Sequence, residues 1–368
     1  MNILILGEFS AFAKNLALGI NKIGGHNVVV MCNGDSFKNI KQDENSIVFP
    51  EPHNITLFGV KIPRTLPFNA FWIYLKSRKS LKKFKSFFDA VFIINCRFIR
   101  DDHERTSPYC SIKDIQYICR PGARVIMSAC GADLPFFKFA IADKRFSTVY
   151  VNGIPNEQFY RRKEELALKI VDGVIPMSYQ YAEAYRLYGK DFKLLPAIQL
   201  PFDVSSVPVK DFKTQNKQLI VFNGALRPTK GSVFIEKALE IVKQKYGDKI
   251  VIINERYPYD VFLRKLKEID LYVDLCTDYD YGMSALAAMS AGCVVFSGNT
   301  RETKLEINLG EEIPVVPISP DVDDIVNKLS YYIDNKDEIV ITGKKSREYV
   351  ERYHECSIVA QKYLNCFK

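Results

Sequence analysis

The chain has 368 residues, long enough for two α/β domains and too long for one ordinary core. Hydrophobic residues make up 47% and charged residues 26%, a globular balance that argues against disorder. The net charge of +8 is uneven: residues 1–200 carry 28 Lys/Arg against 18 Asp/Glu, a net of +10, and the remainder carries 23 against 25, a net of −2.

Residues 2–7 (NILILG) read as a short buried strand rather than a signal peptide, because no basic segment precedes the apolar run. A helix is predicted over 11–24, with Leu16, Ile20 and Ile23 on one face, and a strand over 27–32 (NVVVMC). Phe71 to Phe88 has helical spacing, and strands follow at 89–95 (DAVFIIN), 124–130 and 173–177, with helices near 110–119 and 156–171. The Pro-bearing stretch 196–217 reads as a linker. A second βα series begins at Gln218: strands QLIVFNGA, KIVIIN, DLYVDLC, CVVFSG and IPVVPI, with helices over 231–246, 259–269, from Gly282, and over 321–334. Helices over 336–352 and 356–367 close the chain. Repeated βα units imply parallel sheets covered on both faces, and two such domains place a cleft at the carboxyl ends of the strands. The expected division is an N-terminal Rossmann-like domain over 1–200, a linker over 201–217, a C-terminal Rossmann-like domain over 218–352, and a terminal helix over 353–368.

Nine scattered cysteines form no Cys-x-x-Cys pair, and none of the four histidines has a metal-ligand partner at i+3 or i+4. Reduced core thiols are expected, with no metal site and no cofactor. No stretch approaches the ~18 apolar residues that would span a bilayer, so a cytoplasmic location is expected.

Three stretches of the second half carry a resemblance. Asn223-Gly224-Ala225-Leu226-Arg227-Pro228-Thr229-Lys230-Gly231 occupies a strand-to-helix turn, where a cation adds to the free amides and dipole that attract phosphate. Thr229 stands where a P-loop requires Gly, which excludes the NTPase motif. Asp274-Leu275-Cys276 is followed by Tyr281-Gly282-Met283-Ser284-Ala285-Leu286 and a run of small residues to Gly292. Ser346 to His354 precedes the last helix. Together these are similar to the donor domain of the bacterial retaining GT-B glycosyltransferases, the family 4-like enzymes of surface polysaccharide and glycolipid synthesis. The resemblance implies two Rossmann-like domains facing a cleft (GT-B), and a donor site built from Gly224, Arg227, Lys230, Tyr281, Gly282, Met283, Ser284 and Leu286. Lys230 matches the family lysine, whereas the family arginine position holds Ala225 and Arg227 is the candidate substitute. The family's paired glutamates fall on Tyr279 and Ala287, so their donor contacts are replaced or lost. The run 285–291 has the alternative reading of close helix packing.

In the first half, Cys130-Gly131-Ala132-Asp133 is similar to the family's His-Gly-Ser-Asp turn. Asp133 and Glu8, each at a strand's carboxyl end, are the candidate catalytic carboxylates. Their alternatives are a helix cap for Asp133 and a solvated turn residue for Glu8. Residues 61–85 hold eight basic and no acidic residues. With Phe71, Tyr74, Leu81, Phe84 and Phe88 on one face, the segment suits an anionic membrane surface, contacted by Trp72, Lys76, Arg78, Lys79, Lys82 and Lys83. The alternative is a core-packed face with solvated lysines. No nucleic-acid-binding signature accompanies the charge. The expected activity is transfer of a sugar from a nucleotide-sugar, a UDP-sugar, to a glycan or lipid-linked acceptor, by an enzyme attached peripherally to the inner face of the membrane through residues 61–88. The rivals are a degenerate GT-B scaffold or binding subunit and a sugar-nucleotide epimerase.

Overall fold

The computed structural model describes residues 1–35, 38, 40–49, 55–57, 60–62, 67–102, 104, 107–146, 150, 152–212, 218–310 and 312–367. The first domain builds a six-stranded sheet from β1 (Asn2–Leu6), β2 (Asn27–Cys32), β3 (Ile47–Val48), β6 (Phe88–Ile93), β7 (Cys119–Ala129) and β8 (Gly173–Pro176). Every pair is parallel, in the order β3-β2-β1-β6-β7-β8. A separate antiparallel hairpin joins β4 (Ile55–Leu57) to β5 (Val60–Ile62). The second domain has five parallel strands, β9 (Leu219–Asn223), β10 (Ile250–Ile253), β11 (Leu271–Val273), β12 (Val294–Ser297) and β13 (Val315–Pro317), in the order β10-β9-β11-β12-β13. The strands are continuous apolar runs because helices cover both faces: Ile3, Leu4, Ile5 and Leu6 are all fully buried. Each sheet reverses its strand order once, between β1 and β6 and between β9 and β11. Ligands of such sheets collect at the carboxyl ends of those strands.

The helices are α1 (Phe12–Ile23), α2 (Pro67–Leu81), α3 (Ile112–Ile118), α4 (Leu134–Ala142), α5 (Glu157–Leu168) and α6 (Tyr179–Tyr188) in the first domain. The second adds α7 (Ser232–Tyr246), α8 (Tyr259–Lys265), α9 (Met283–Ala291), α10 (Arg301–Ile307), α11 (Val322–Asp334) and α12 (Lys336–Tyr353). The last helix, α13 (Cys356–Asn365), packs on α1 of the first domain. That approach depends on a missing side chain, since a Cβ at Gly19 would lie 2.1 Å from the Cys356 carbonyl oxygen. Tyr363 meets Phe12 and Phe92 edge-on there. The stretch read as a linker is packed rather than loose up to Phe212: Phe202 bonds to the His354 carbonyl, Val204 and Val207 are buried, and the Arg347 guanidinium donates to their carbonyls. Residues 213–217 lie outside the described residues.

Two expectations need correction. The single helix over 71–88 does not form. α2 ends at Leu81, a 3-10 turn follows over Lys82–Phe84, and Phe88 opens β6. Leu81, Phe84 and Phe88 therefore go to the core, while Phe71, Trp72 and Leu75 stay exposed, so the five residues 71, 74, 81, 84 and 88 are not one face. Helices α4, α6 and α10 were not anticipated. α4 hides in LPFFKFAIA, whose apolar residues run around the helix and give no polar stripe to read. Among the described residues no helix is long and apolar enough to cross a membrane.

Candidate active site

At the reversal point of the second sheet, β9 ends in Asn223 and runs into the turn 224–231. Gly224 has no side chain because a Cβ would lie 2.6 Å from the Tyr272 hydroxyl. Gly231, at φ +80°, could carry none without striking the Cys276 sulfur. The turn delivers Lys230 to the centre of a polar cluster. Its Nζ donates to Asp274 Oδ1 at 2.6 Å and to the Gly224 carbonyl at 3.2 Å, and lies 3.5 Å from Ser284 Oγ. Asp274, just beyond β11, is fully buried and also accepts from the Ser284 hydroxyl at 2.7 Å and the Ser297 hydroxyl at 3.3 Å. Asp274 thus holds Lys230 and Ser284 in fixed positions.

Two helices begin beside this cluster, α7 after Gly231 and α9 after Gly282, and no side chain caps either one. The free first amides and the dipole of a helix start favour an anion. Nothing lies within 4 Å of where a Gly282 side chain would project. Arg227 is exposed at the same turn and forms no ion pair among the described residues. Met283 is partly buried at the start of α9.

Tyr281 and Leu286, both expected at the donor site, have buried side chains. Tyr281 is buried, and its hydroxyl lies 2.9 Å from the Tyr349 hydroxyl and 3.1 Å from His354 Nε2. It ties the loop to the C-terminal helices. His354 Nδ1 donates to the Leu200 carbonyl at 2.9 Å, and burial lowers its pKa to about 4, so it is a neutral structural residue. Leu286 and Ala287 are buried because α9 is enclosed: a Cβ at Gly343 of α12 would sit 2.3 Å from the Gly292 carbonyl oxygen. The small residues of 285–291 therefore serve close packing.

Both candidate catalytic carboxylates are buried and lie at helix starts. Asp133 is buried and caps α4, accepting from the Phe136 amide at 2.8 Å. The Tyr185 hydroxyl lies between it and Glu164, at 3.2 and 2.9 Å. Burial raises both carboxyls, Glu164 to about 7, so this pair retains a proton. Glu8 turns toward α1, where Oε1 accepts from the Ala13 amide at 3.2 Å and Oε2 from the Lys14 amide at 3.0 Å and from Gln42 at 2.8 Å. Burial pushes its pKa up to about 7 despite those donors. Its carboxyl group is buried and is not a solvated turn group. It occupies the anion position at a helix start.

Arg145 and Gln180 escaped the sequence reading, as did the contacts of Tyr279. Arg145, after α4, donates across the domain boundary to the carbonyls of Asp278 at 2.9 Å, Cys276 at 3.1 Å and Ile318 at 2.9 Å. Tyr279, at the first family glutamate position, donates to Asp143 at 2.9 Å and packs on Phe139, Phe146 and Tyr179 of the first domain. Gln180 adds bonds to Asp278 and the Tyr279 amide. Burial raises Asp278 and Asp280 to about 6. The carboxyl ends of the two sheets are thus joined by a polar seam next to the Lys230 cluster. A cavity of about 530 Å³ along β13 includes no residue of that cluster.

In the basic segment, Lys76, Lys79, Lys82 and Lys83 are exposed, and the Lys76 ammonium lies 4.8 Å over the exposed Trp72 ring. Arg78 differs from these lysines in pairing with the buried Asp114. Arg64 and the side chain of Lys61 lie outside the described residues.

No known family profile matches the chain, and no curated protein matches it by sequence. Solved structures do. Sucrose-phosphate synthase from Thermosynechococcus elongatus aligns over 100% of this chain and 98% of its own, at 14% identity and a TM-score of 0.64. HepE from Anabaena, solved in complex with UDP and glucose, aligns over 100% and 99%, at 11% identity and a TM-score of 0.61. A putative UDP-N-acetylglucosamine 2-epimerase from Listeria monocytogenes aligns over 100% and 95%, at 12% identity and a TM-score of 0.55. The class of protein this defines is a fold class, the two-domain GT-B architecture, shared along the whole chain.

Proposed function

We propose that this protein is a glycosyltransferase that moves a sugar from a nucleotide-sugar, a UDP-sugar, to a glycan or lipid-linked acceptor in bacterial surface polysaccharide or glycolipid synthesis. The observation that carries the reading is the Lys230–Asp274–Ser284 cluster, set between two uncapped helix starts at the reversal point of the C-terminal sheet. Structures of this fold solved with UDP or UDP-glucose support a nucleotide-sugar as the ligand. Lys230, Arg227 and the amides of α7 and α9 would hold the donor diphosphate and stabilise the charge that grows on it as the glycosidic bond breaks. That work requires no resident metal or other cofactor. Neither Glu8 nor Asp133 takes a step in this reading. Incubation with UDP-sugars and release of UDP in the presence of acceptor lipid extracts tests it; absence of any UDP binding would remove it.

The membrane part of the reading rests on α2 and the turn after it. Phe71, Trp72 and Leu75 are exposed beside Lys76, Lys79, Lys82 and Lys83. Apolar groups rimmed by lysines fit a peripheral contact with an anionic inner membrane face, each cation contributing about 1 kcal/mol and less as salt rises. Binding to anionic liposomes should fall with salt and drop when Lys79, Lys82 and Lys83 become Glu. Equal binding to neutral and anionic liposomes, or none to either, contradicts it.

The packing of Tyr279 and Ala287 at the family's glutamate positions favours a second reading, a donor-binding subunit without transfer activity. UDP binding without hydrolysis or transfer would support that reading, and conversion of the donor sugar without acceptor would support an epimerase.

A further inference from the structure

The reversal point of the N-terminal sheet carries a second built surface. Just beyond β6 lies Asn95, whose fully buried side chain donates to the Cys130 carbonyl at 2.6 Å and accepts from the Arg97 amide at 3.0 Å. The backbone at Arg97 is thereby fixed to the end of β7. Phe98 lies flat against Gly7, where a Cβ would come within 2.1 Å of its ring. Phe9 tilts on Phe98 with centroids 4.9 Å apart. The exposed Arg97 guanidinium rests over both rings, 5.3 Å from Phe9 and 5.9 Å from Phe98.

Among the described residues Arg97 has no carboxylate within ion-pair distance, unlike the buried Arg100 just beyond it, which pairs with Asp114. An arginine held on aromatic faces keeps its charge and its in-plane N–H donors free for an incoming group. At the same end of the sheet the start of α1 is filled by Glu8. The first 200 residues carry the excess of positive charge.

We propose that Arg97, on the Phe9–Phe98 platform, is a binding residue for a phosphate group carried by the acceptor. The proposal rests on the transferase reading for the word acceptor, but not for the binding itself. Planar guanidinium meets phosphate with two parallel hydrogen bonds, which selects phosphate-bearing over neutral acceptors. The phosphate belongs either to a soluble sugar phosphate or to a lipid carrier.

Isothermal titration with the donor site saturated by UDP tests this. Glucose 1-phosphate is compared with glucose in one arm, and monomeric decyl phosphate with decyl glucoside in the other. Each phosphate should bind at least about tenfold more tightly than its neutral counterpart. Arg97→Gln should erase that preference without altering affinity for UDP, and Arg97→Lys should retain part of it. The arm with the tighter phosphate identifies the source, soluble or lipid. Unchanged phosphate affinity in Arg97→Gln, or no preference for phosphate in the parent protein, overturns the proposal. Absence of UDP binding would instead remove the transferase reading, and the phosphate arms, repeated without UDP, still judge Arg97.

Discussion

The two sheets reverse their strand order in the same way, yet the anion positions at those points are treated oppositely. In the C-terminal domain the helix starts of α7 and α9 have no side-chain cap, and a buried Asp274 holds Lys230 beside them. In the N-terminal domain the helix start of α1 is filled by the chain's own Glu8. The α7 and α9 starts of one Rossmann-like domain carry no side-chain cap, and the α1 start of the other is occupied by an internal carboxyl group. The pairing teaches that two domains of one fold class differ at their strand ends through a few side chains, with the reversal of strand order kept in both.

The largest effect should come from breaking the Lys230–Asp274 pair. Lys230→Ala leaves Asp274 buried with only hydroxyl partners, and should cost about 3–5 kcal/mol in urea unfolding. Adding Asp274→Asn should recover much of that loss. If the single variant is as stable as the parent, Asp274 is not holding Lys230. Glu8 makes a different prediction. The Glu8 pKa is raised by burial to about 7 from 4.5, so the folded state keeps a proton that the unfolded state releases in that interval. Stability from this group is present at low pH and lost as pH rises through about 7, by on the order of 3 kcal/mol at most. Glu8→Gln should flatten the parent's fall in stability between pH 5 and 8, measured by denaturation at each pH; an unchanged slope would place the titration elsewhere. A smaller change is expected at the seam between the domains. Arg145→Ala removes three charge-assisted bonds to carbonyls, and should cost about 1–2 kcal/mol. It should also increase the radius of gyration in small-angle scattering, and identical scattering would show that the seam does not hold the domains.

Much of this was legible in the residues, and the reasons for the rest are physical. The βα alternation follows from apolar runs such as Leu219–Asn223 and Leu271–Val273, which announce strands buried on both faces. Lys230 and Ser284 could be singled out because the turns around Gly224, Gly231 and Gly282 that carry the family resemblance are local in sequence. The role of Asp274 was not legible, since its contact with Lys230 joins two strand ends 44 residues apart. Glu8 was found by position, but its direction depends on the left-handed Ser10 and Ala11, at φ 52° and 67°, which bring the α1 amides back to it. Nothing in the spacing marks such a loop. Arg145 follows a helix with no polar stripe, and its carbonyl partners belong to the other domain. The basic segment misled because Leu81, Phe84 and Phe88 share helical spacing with Phe71 while belonging to a turn and a strand.

The central claim is that the C-terminal strand ends, and not the N-terminal ones, receive the nucleotide. The direct measurement is titration of UDP into the parent protein and into two variants of exposed residues, Arg227→Ala and Arg97→Gln, which spare the buried pairs. The account predicts UDP binding that weakens about tenfold in Arg227→Ala and is unchanged in Arg97→Gln. UDP affinity lost in Arg97→Gln and kept in Arg227→Ala would contradict it.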